Sequence, residues 1–321
     1  MSTWVYIIKR IASSIPILFI VSLISFFLIR LSPVDPLAQL KMNPAISQET
    51  IESETKRLGL DKPVVVQYVL WAKNFIKGDM GYCTDNIKVS TKLKTRILNT
   101  LLLSVCVIVF SWIIAIPLGI LAAVYYDSWF DKFLTVISSV GMAIPSFFFA
   151  ILMLLFAQKT GWFPVGGLTS VNFNELNLFS KMLDIAHHLI LPVFVLTTIS
   201  LCSLARQMRA NLLDVLSSEY VKFAYAKGLS KNKVIVKHAL RNAINPIVTL
   251  LGFEFAGLLS GAALTEYVFQ YPGLGKLILE AVMQSDINLV MASLMIGAVM
   301  LIAGNLISDI LLKLTDPRVR V

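Results

Sequence analysis

Long stretches without any charged side chain most constrain what this chain can fold into. Crossing about 30 Å of hydrocarbon takes roughly 20 apolar residues in a helix. Five charge-free runs reach that length, and a sixth is interrupted only by Glu254. The runs are Ile11–Ile29, Ile97–Tyr126, Phe133–Gln158, Ile185–Ala205, Asn242–Thr265 and Ile287–Ser308. The sequence therefore predicts an all-α integral membrane protein with six transmembrane helices.

The composition agrees with this prediction. The chain is 57% hydrophobic and only 15% charged, and its mean hydropathy is +0.77. Soluble domains carry about a quarter of charged residues. A net charge of +9 would suggest nucleic-acid binding in a soluble protein. Here the cations lie mostly in the loops, which indicates orientation in a membrane and no nucleic-acid partner.

The loop charges predict which side each terminus occupies. The segment 206–245 holds eight cations against two carboxylates, and both chain ends are basic as well. The segment's cations are Arg206, Arg209, Lys222, Lys227, Lys231, Lys233, Lys237 and Arg241. Because cytoplasmic loops are enriched in Lys and Arg, both termini are expected inside. The stretch 31–96 is also rich in lysine, but long loops escape the charge rule.

The first apolar run is too long for a signal peptide, so we expect it to be retained. The predicted organisation is an N-terminal transmembrane helix at 1–30, an extracytoplasmic segment at 31–96, a multi-span transmembrane domain at 97–313 and a cytoplasmic tail at 314–321. The 206–245 segment lies inside the membrane domain. Its position between two spans suggests docking of a soluble partner.

Two short helices are predicted in the 31–96 segment. Ser47–Leu58 has a possible N-cap at Ser47 and a helix-ending Gly59. Val64–Ile76 is apolar with helical spacing. It either lies along the membrane surface or packs on the outer mouth of the helix bundle.

Prolines inside the spans are candidate hinges, because proline removes a backbone donor and kinks a helix. Pro117 with Gly119, and Pro145, are the positions of interest. The alternative is ordinary irregularity of membrane helices. Cys83, Cys106 and Cys202 are widely spaced, so neither a disulfide framework nor a metal site is predicted.

The 206–245 segment has the signals of two helices joined by a tight turn. Ser218 is positioned to cap a helix that ends at Gly228, a residue suited to the left-handed backbone. Ser230 is positioned to cap a second helix, from Lys231 to about Asn245. Such a pair forms a compact knob that fits a groove on another protein. A solvated basic loop without a partner is the alternative.

This segment resembles the cytoplasmic coupling loop of ATP-binding-cassette importer permeases. The family pattern is Glu-Ala-Ala, three residues, then Gly. Gly228 and Ala224 match the Gly and the second Ala, whereas Lys222 and Phe223 replace the Glu and first Ala. The closing element departs too and reads His238-Ala-Leu-Arg241. These departures are similar to those of one branch, the permeases for oligopeptides, dipeptides and nickel.

Further motifs of that branch occur in order along nearly the whole chain. Each is weak alone, but the ordered set is specific, and it most resembles the "B" subunit of peptide permease pairs. The motifs are Gly59-Leu-Asp-Lys-Pro63, Gly78-Asp-Met-Gly-Tyr82, Ile116-Pro-Leu-Gly119, Ile144-Pro-Ser-Phe147, Phe163-Pro-Val-Gly-Gly167, Thr265-Glu-Tyr-Val-Phe-Gln-Tyr-Pro-Gly-Leu-Gly275 and Asp316-Pro-Arg318.

The resemblance implies a type I importer permease (MetI-like) fold in the bacterial cytoplasmic membrane. It implies a second homologous permease, two ATPase subunits that bind ATP and magnesium, and an extracytoplasmic substrate-binding protein. This chain would hold no catalytic residue, cofactor or metal. Closure of the ATPase pair would rock the two permeases between two states.

Site residues follow from the same resemblance. The residues expected to couple to the ATPase are Glu219, Lys222, Phe223, Ala224, Ala226, Lys227, Gly228, Leu229, His238 and Arg241. Glu254 and Glu266 are candidates for the translocation path. Because a mid-span charge is costly, Glu254 should face the bundle interior or a wet cavity. It either meets a peptide amine or a cation, or it is a hydrogen-bonded carboxyl at the interface with the second permease.

The expected cargo is a dipeptide or oligopeptide. Nickel or a metal chelate is the alternative within the same architecture. A stand-alone secondary transporter or channel is the alternative from another class. Such carriers often show inverted repeats and several ionisable groups at midplane. This chain has one such group and no internal repeat.

Overall fold

A computed structural model describes residues 3–31, 37, 41–42, 46–57 and 59–315. Within these residues the regular secondary structure is helical, with one isolated β-bridge between Tyr82 and Lys88. The tail motif predicted at 316–318 lies outside the described residues, as does Leu58. The all-α class is as predicted.

Helices begin and end as follows. The first six are α1 (Thr3–Leu31), α2 (Gln48–Arg57), α3 (Val64–Ile76), α4 (Val89–Val124), α5 (Trp129–Ala143) and α6 (Ser146–Thr160). After a 3-10 turn at Phe173–Glu175 come α7 (Leu178–Leu216), α8 (Glu219–Ala226), α9 (Lys231–Lys233), a π-helical turn at Val234–Ala239 and α10 (Leu240–Ala243). The last three are α11 (Asn245–Val268), α12 (Leu274–Met283) and α13 (Ile287–Thr315).

Four of these helices are long and apolar enough to cross a membrane. They contain Ile7–Leu31, Val89–Val124, Leu178–Leu216 and Ile287–Lys313, and the bent pair α5 and α6 brings the number to five. Each of the four covers one predicted run. Helix α11 covers the predicted run at 242–265 from Asn245 onward. Its role as a sixth transmembrane span stays a prediction.

The predicted span Phe133–Gln158 is not one straight helix. Helices α5 and α6 meet at a bend of 95°. Ile144 is extended, with φ −83° and ψ 121°, and Pro145 follows as the residue that precedes α6. Proline lacks an N–H and disfavours helical backbone at the preceding residue, so the break falls here. Hydropathy alone could not detect it, because the run stays apolar across the bend.

Pro117 behaves differently, because α4 continues through it as one helix. A membrane helix tolerates proline where neighbouring groups satisfy the freed carbonyl. Motion at Pro117, Gly119 or Pro145 stays a prediction.

The chain divides into two compact units. One comprises chiefly Thr100–Pro272 and Leu301–Val321, and the other Ser2–Asn99 and Gly273–Met300. In the first, side chains of α4, α6, α7 and α11 share a buried core that includes Val107, Ala150, Val195 and Leu258. Helix α7 is central to this unit, because α5, α6 and α11 all pack against it.

A buried ion pair ties α5 to α7 in the first unit. Asp131 is only 2% exposed, and it accepts hydrogen bonds from Nε and Nη2 of Arg209. It also accepts from the backbone N–H of Asp127, at 3.0 Å. The Arg209 guanidinium lies 5.5 Å from the centre of the Tyr126 ring. This bidentate geometry fixes how the first half of the broken span meets α7.

In the second unit, the predicted helix Val64–Ile76 is confirmed with the same bounds. It packs on α1, where the Tyr68 hydroxyl lies 2.9 Å from the Ser22 hydroxyl and its ring meets Phe26 edge-on. This contact fits the packed-helix alternative, while contact of α3 with a membrane surface stays open. The cap at Ser47 is confirmed too, since its Oγ accepts from the Thr50 N–H at 3.2 Å.

A buried carboxylate anchors the loop before α4 in the same unit. Asp286 accepts the backbone N–H of Thr84 at 2.8 Å and that of Leu289 at 3.0 Å. Cys83 is buried beside it. Burial first, and then the charge of Asp286, raise the pKa of the Cys83 thiol to about 12. The thiol is therefore protonated at neutral pH, and none of the three cysteines forms a disulfide.

Helices α4 and α7 approach each other closely at Gly119. A Cβ placed there would lie 2.6 Å from the Ala205 carbonyl oxygen and 2.7 Å from the Met208 Cβ. Both distances are shorter than van der Waals contact. The glycine therefore has a packing function, whether or not α4 also bends there.

We expect Gly119→Ala to destabilise the protein by about 1–3 kcal/mol, because overpacking a close helix contact displaces backbone. Thermal unfolding of the detergent-purified protein measures the effect as a lower apparent Tm. Gly297→Ala is the matched control, since nothing lies within 4 Å of a Cβ at that helical position. Equal melting temperatures for the two variants would contradict the close packing.

Candidate functional site

Helix α8 starts directly after α7, at the position predicted from the sequence. Ser218 precedes it with extended backbone, φ −69° and ψ 149°, but its side chain does not cap the helix. Its hydroxyl donates instead to the Val215 carbonyl at the end of α7. The predicted capping hydrogen bond is therefore wrong, although the helix start is correct. Glu219 and Lys222 form an exposed ion pair at 2.8 Å on the first turn.

Gly228 ends α8 in the left-handed conformation that the sequence predicts, with φ +78°. Its N–H donates to the Tyr225 carbonyl at 2.9 Å, and the Leu229 N–H donates to the Ala224 carbonyl at 3.4 Å. These two bonds are those of a Schellman motif, which satisfies the last carbonyls of a helix. The turn between the two helices is thus fully bonded and has a defined geometry.

The predicted second helix, Lys231 to about Asn245, is not continuous. A three-residue α9 passes into the π-helical turn Val234–Ala239, and α10 ends before Asn245 begins α11. A π turn spaces its bonds at five residues, which brings Val234 and Ala239 onto one face, and both are completely buried. Pro246 occupies the first turn of α11, where its missing N–H is not needed.

Buried side chains anchor the part of the 206–245 segment that follows α7 to the C-terminal half of α7. Val221 and Ala224 of α8, together with Val234, Ala239 and Ala243, belong to one apolar cluster. The same cluster contains four buried residues of α7, which are Leu204, Ala205, Met208 and Leu212. The segment is therefore a packed extension of α7, which argues against the alternative of a solvated loop.

The opposite face of α8 exposes aromatic side chains. Phe223 is 61% exposed, and the Lys227 ammonium lies 4.6 Å from the centre of its ring. Tyr220 and Tyr225 are exposed as well. An exposed aromatic beside a cation on a rigid helix is a common feature of binding surfaces, where aromatics dominate the energy.

The ten residues predicted to couple fall into three groups. Ala224 is buried in the anchoring cluster, and Leu229 and His238 are half-buried. The exposed ones are Glu219, Lys222, Phe223, Ala226, Lys227, Gly228 and Arg241. Sequence reasoning missed Tyr220, whose hydroxyl accepts from the Asn242 side chain at 2.7 Å and so joins α8 to α10. Only the exposed tyrosine within the motif could have indicated it.

Glu254 lies on α11 and is hydrogen-bonded by two neighbouring helices. The Trp112 indole N–H of α4 donates to one carboxyl oxygen at 2.7 Å. The Ser200 hydroxyl of α7 donates to the other at 3.4 Å. Glu254 also lines a cleft of about 210 Å³ together with Ser146 and Gly257. Glu254 therefore has the hydrogen-bond partners expected of a structural carboxyl, and it also lines a cavity, as expected of a path residue.

Glu266, the second predicted path residue, lies in a different environment. Its side chain is completely buried, and it accepts a hydrogen bond from the Thr100 hydroxyl at 2.9 Å.

Ser146, which lines the Glu254 cleft, is the first residue of α6 after the bend at Pro145. The bend therefore contributes directly to the wall of this cleft.

No group of three or more His, Cys, Asp or Glu side chains that could hold a metal ion occurs in the described part of the chain. His187 and His188, adjacent at the start of the fourth predicted run, interact with backbone carbonyls instead. Nε2 of His187 lies 3.0 Å from the Trp162 carbonyl oxygen, and Nδ1 of His188 lies 2.8 Å from that of Asp184.

Comparison with known proteins places this sequence in a family. Residues 115–321 match the model for the inner membrane component of binding-protein-dependent transport systems. Residues 3–89 match the model for the N-terminal part of that component. Together the two matches extend over most of the chain.

Several curated relatives are similar along almost their whole length. The oligopeptide transport system permease AppB of Bacillus subtilis is 40% identical over 317 residues, covering 98% of both chains. The di/tripeptide transport system permease DppB of Pseudomonas aeruginosa is 36% identical over 330 residues, with 98% of both chains covered. The glutathione transport system permease GsiC of Escherichia coli is 34% identical over 317 residues, again covering 98% of both.

Long apolar helices, a packed extension at the end of α7 and similarity over the full length agree with one another. The chain belongs to the family of inner membrane components of binding-protein-dependent transport systems.

Proposed function

We propose that this chain forms half of the membrane pathway of an ATP-driven importer for dipeptides or oligopeptides. The other half is a second, homologous permease. Two separate ATPase subunits bind ATP and magnesium, and an extracytoplasmic binding protein delivers the cargo. The observation that carries the proposal is the 206–245 segment, an exposed aromatic and cationic face on a knob whose buried side chains pack into one apolar cluster with α7.

The proposed topology has six spans and both termini in the cytoplasm. Helix α11 supports the sixth span, because its 24 residues extend about 36 Å, enough for the hydrocarbon core. The cations of the 206–245 segment support its cytoplasmic location. In this orientation α8 and the Phe223 side chain face the ATPase subunits.

Peptide is the preferred cargo because three relatives at 34–40% identity are named for oligopeptides, di/tripeptides and glutathione. Import of nickel or a metal chelate is the second candidate. A stand-alone secondary transporter is a weaker candidate, because a rigid knob for a soluble partner has no purpose in it. Purification separates an importer from a secondary transporter, because an importer permease brings a second permease and ATPase subunits with it.

Glu254 and Glu266 are proposed as carboxylates of the path. Glu254 is the stronger candidate, because it lines a cleft, whereas Glu266 is completely buried. Rocking of α6 about the bend at Pro145 would open or close the cleft wall at Ser146. Gly119 and Pro117 would contribute only if α4 bends during that motion.

Phe223→Ala is expected to weaken association with the ATPase subunits at least about tenfold, because a central aromatic carries much of an interface's energy. Copurification of the tagged permease with its partners measures the loss. Trp162→Ala is the control, since Trp162 is a similarly exposed aromatic outside the 206–245 segment. Undiminished copurification with Phe223→Ala would argue against α8 as the docking surface.

Gly228→Val tests the Schellman turn. A branched side chain in the left-handed conformation costs about 1–2 kcal/mol, so we expect the direction of α8 to change. Stimulation of ATPase activity by the binding protein should fall while membrane insertion persists. Gly161→Val is the control, because it imposes similar strain at φ +69°, also in open space, at the end of α6. Full stimulation in the Gly228 variant would show that the turn does not position the knob.

Glu254→Gln tests the path. If the carboxylate meets the peptide amine, apparent affinity should fall about tenfold for peptides with a free amino terminus, since a charge-assisted hydrogen bond is lost. Uptake of N-acetylated peptides should change little. Glu175→Gln removes an exposed carboxylate elsewhere and serves as the control. An equal loss for both kinds of peptide would assign Glu254 a structural role.

A further inference from the structure

A cleft of about 480 Å³ lies in the second unit, and neither the 206–245 segment nor Glu254 lines it. Part of its wall is apolar, formed by Phe26, Leu70 and Trp71. Its ionisable lining residues are three cations and one carboxylate, which are Arg30, Lys56, Lys62 and Asp79. A cleft with one apolar wall and a net positive lining suits a ligand that has an anionic head and an apolar body.

Two buried donors in this lining have no hydrogen-bond acceptor among the residues that the structure describes. They are Nε of Arg30 and Nε1 of Trp71. A buried donor without a partner costs about 1–3 kcal/mol, and nearly all such groups in proteins find one. An oxyanion in the cleft would offer several acceptor oxygens to a guanidinium and an indole N–H at once.

Arg30 is held in place from two sides. Its Nη2 donates to the Gln67 side chain, whose own amide donates to the Lys62 carbonyl at 2.6 Å. Its guanidinium carbon lies 5.8 Å from the centre of the Phe26 ring. The guanidinium is therefore positioned before any ligand arrives, which reduces the entropic cost of binding.

The position of Arg30 along α1 indicates the source of the anion. It lies in the last turn of a helix whose residues Ile7–Leu31 are long and apolar enough to span a membrane. The end of such a span is at the depth of the lipid headgroups. Val65, Val69 and Ile76 of the neighbouring helix α3 are exposed apolar side chains, as expected of a helix beside lipid.

We propose that this cleft binds a phosphate group, and that its source is the headgroup of an anionic phospholipid. The phosphate oxygens accept from Arg30 and Trp71, and the Lys56 and Lys62 ammonium groups add favourable charge. The acyl chain lies along the Phe26 wall. This site is independent of the transport function proposed above, so either can fail without the other.

The test is lipid binding to the full-length protein in detergent, measured by native mass spectrometry during titration with phosphatidylglycerol. Arg30→Gln should weaken binding about tenfold, because a hydrogen bond to a charged group is lost. Arg30→Lys should retain part of it. Lys73→Gln is the control, since it removes an exposed cation of α3 that does not line the cleft. Equal affinity for wild type, Arg30→Gln and Lys73→Gln would overturn the site.

Trp71→Phe keeps an aromatic side chain at this position and removes the indole N–H together with the five-membered ring, so it provides a second test should Arg30→Gln fail to fold. It should weaken binding about threefold, the effect of one neutral hydrogen bond, and an unchanged affinity would contradict the proposed contact. Inorganic phosphate at millimolar concentration distinguishes the sources. Failure to displace the lipid supports the headgroup, whereas full displacement by phosphate alone would overturn the lipid source.

Discussion

One helix, α7, determines the geometry of the first unit. Its 39 residues extend about 58 Å, nearly twice the hydrocarbon thickness of a bilayer. One part packs against α6 and α11, and a lower part contacts Gly119 of α4 and holds Asp131 of α5 through Arg209. The last turns support α8 and the π turn. A single helix thus joins the core that it shares with α6 and α11 to the cluster that holds α8 and the π turn.

The strength of that connection depends on how the knob is fastened to α7. A loop held by surface charges would yield under load, because exposed ion pairs such as Glu219 with Lys222 contribute little. The fastening here is instead apolar, from Val221 and Ala224 through Val234 to Met208. Packed interiors have low compressibility and transmit strain. The same packing leaves Phe223 outside, so the anchored face and the exposed aromatic face are opposite faces of one short helix.

Sequence reasoning could reach those features that are local in the chain. Helix bounds at Val64–Ile76, the cap at Ser47 and the left-handed Gly228 all follow from short patterns, and all are confirmed. Directions and partners were not accessible. An apolar run gives no sign of the 95° bend at Pro145, and Trp112 meets Glu254 across 142 residues of sequence. The π turn was missed because its bond pattern depends on burial of Val234 and Ala239 together.

Glu254 and Glu266, the two predicted path residues, show why burial and function must be judged together. A carboxylate offers about four acceptor sites. At Glu254 two donors, Trp112 and Ser200, lower the cost of placing a charge in the membrane, and a cleft remains on which a further donor can approach. At Glu266 the side chain is completely enclosed, with Thr100 as one donor. A group in the cleft can therefore reach Glu254 without rearrangement of the helices, whereas Glu266 becomes accessible only if they separate.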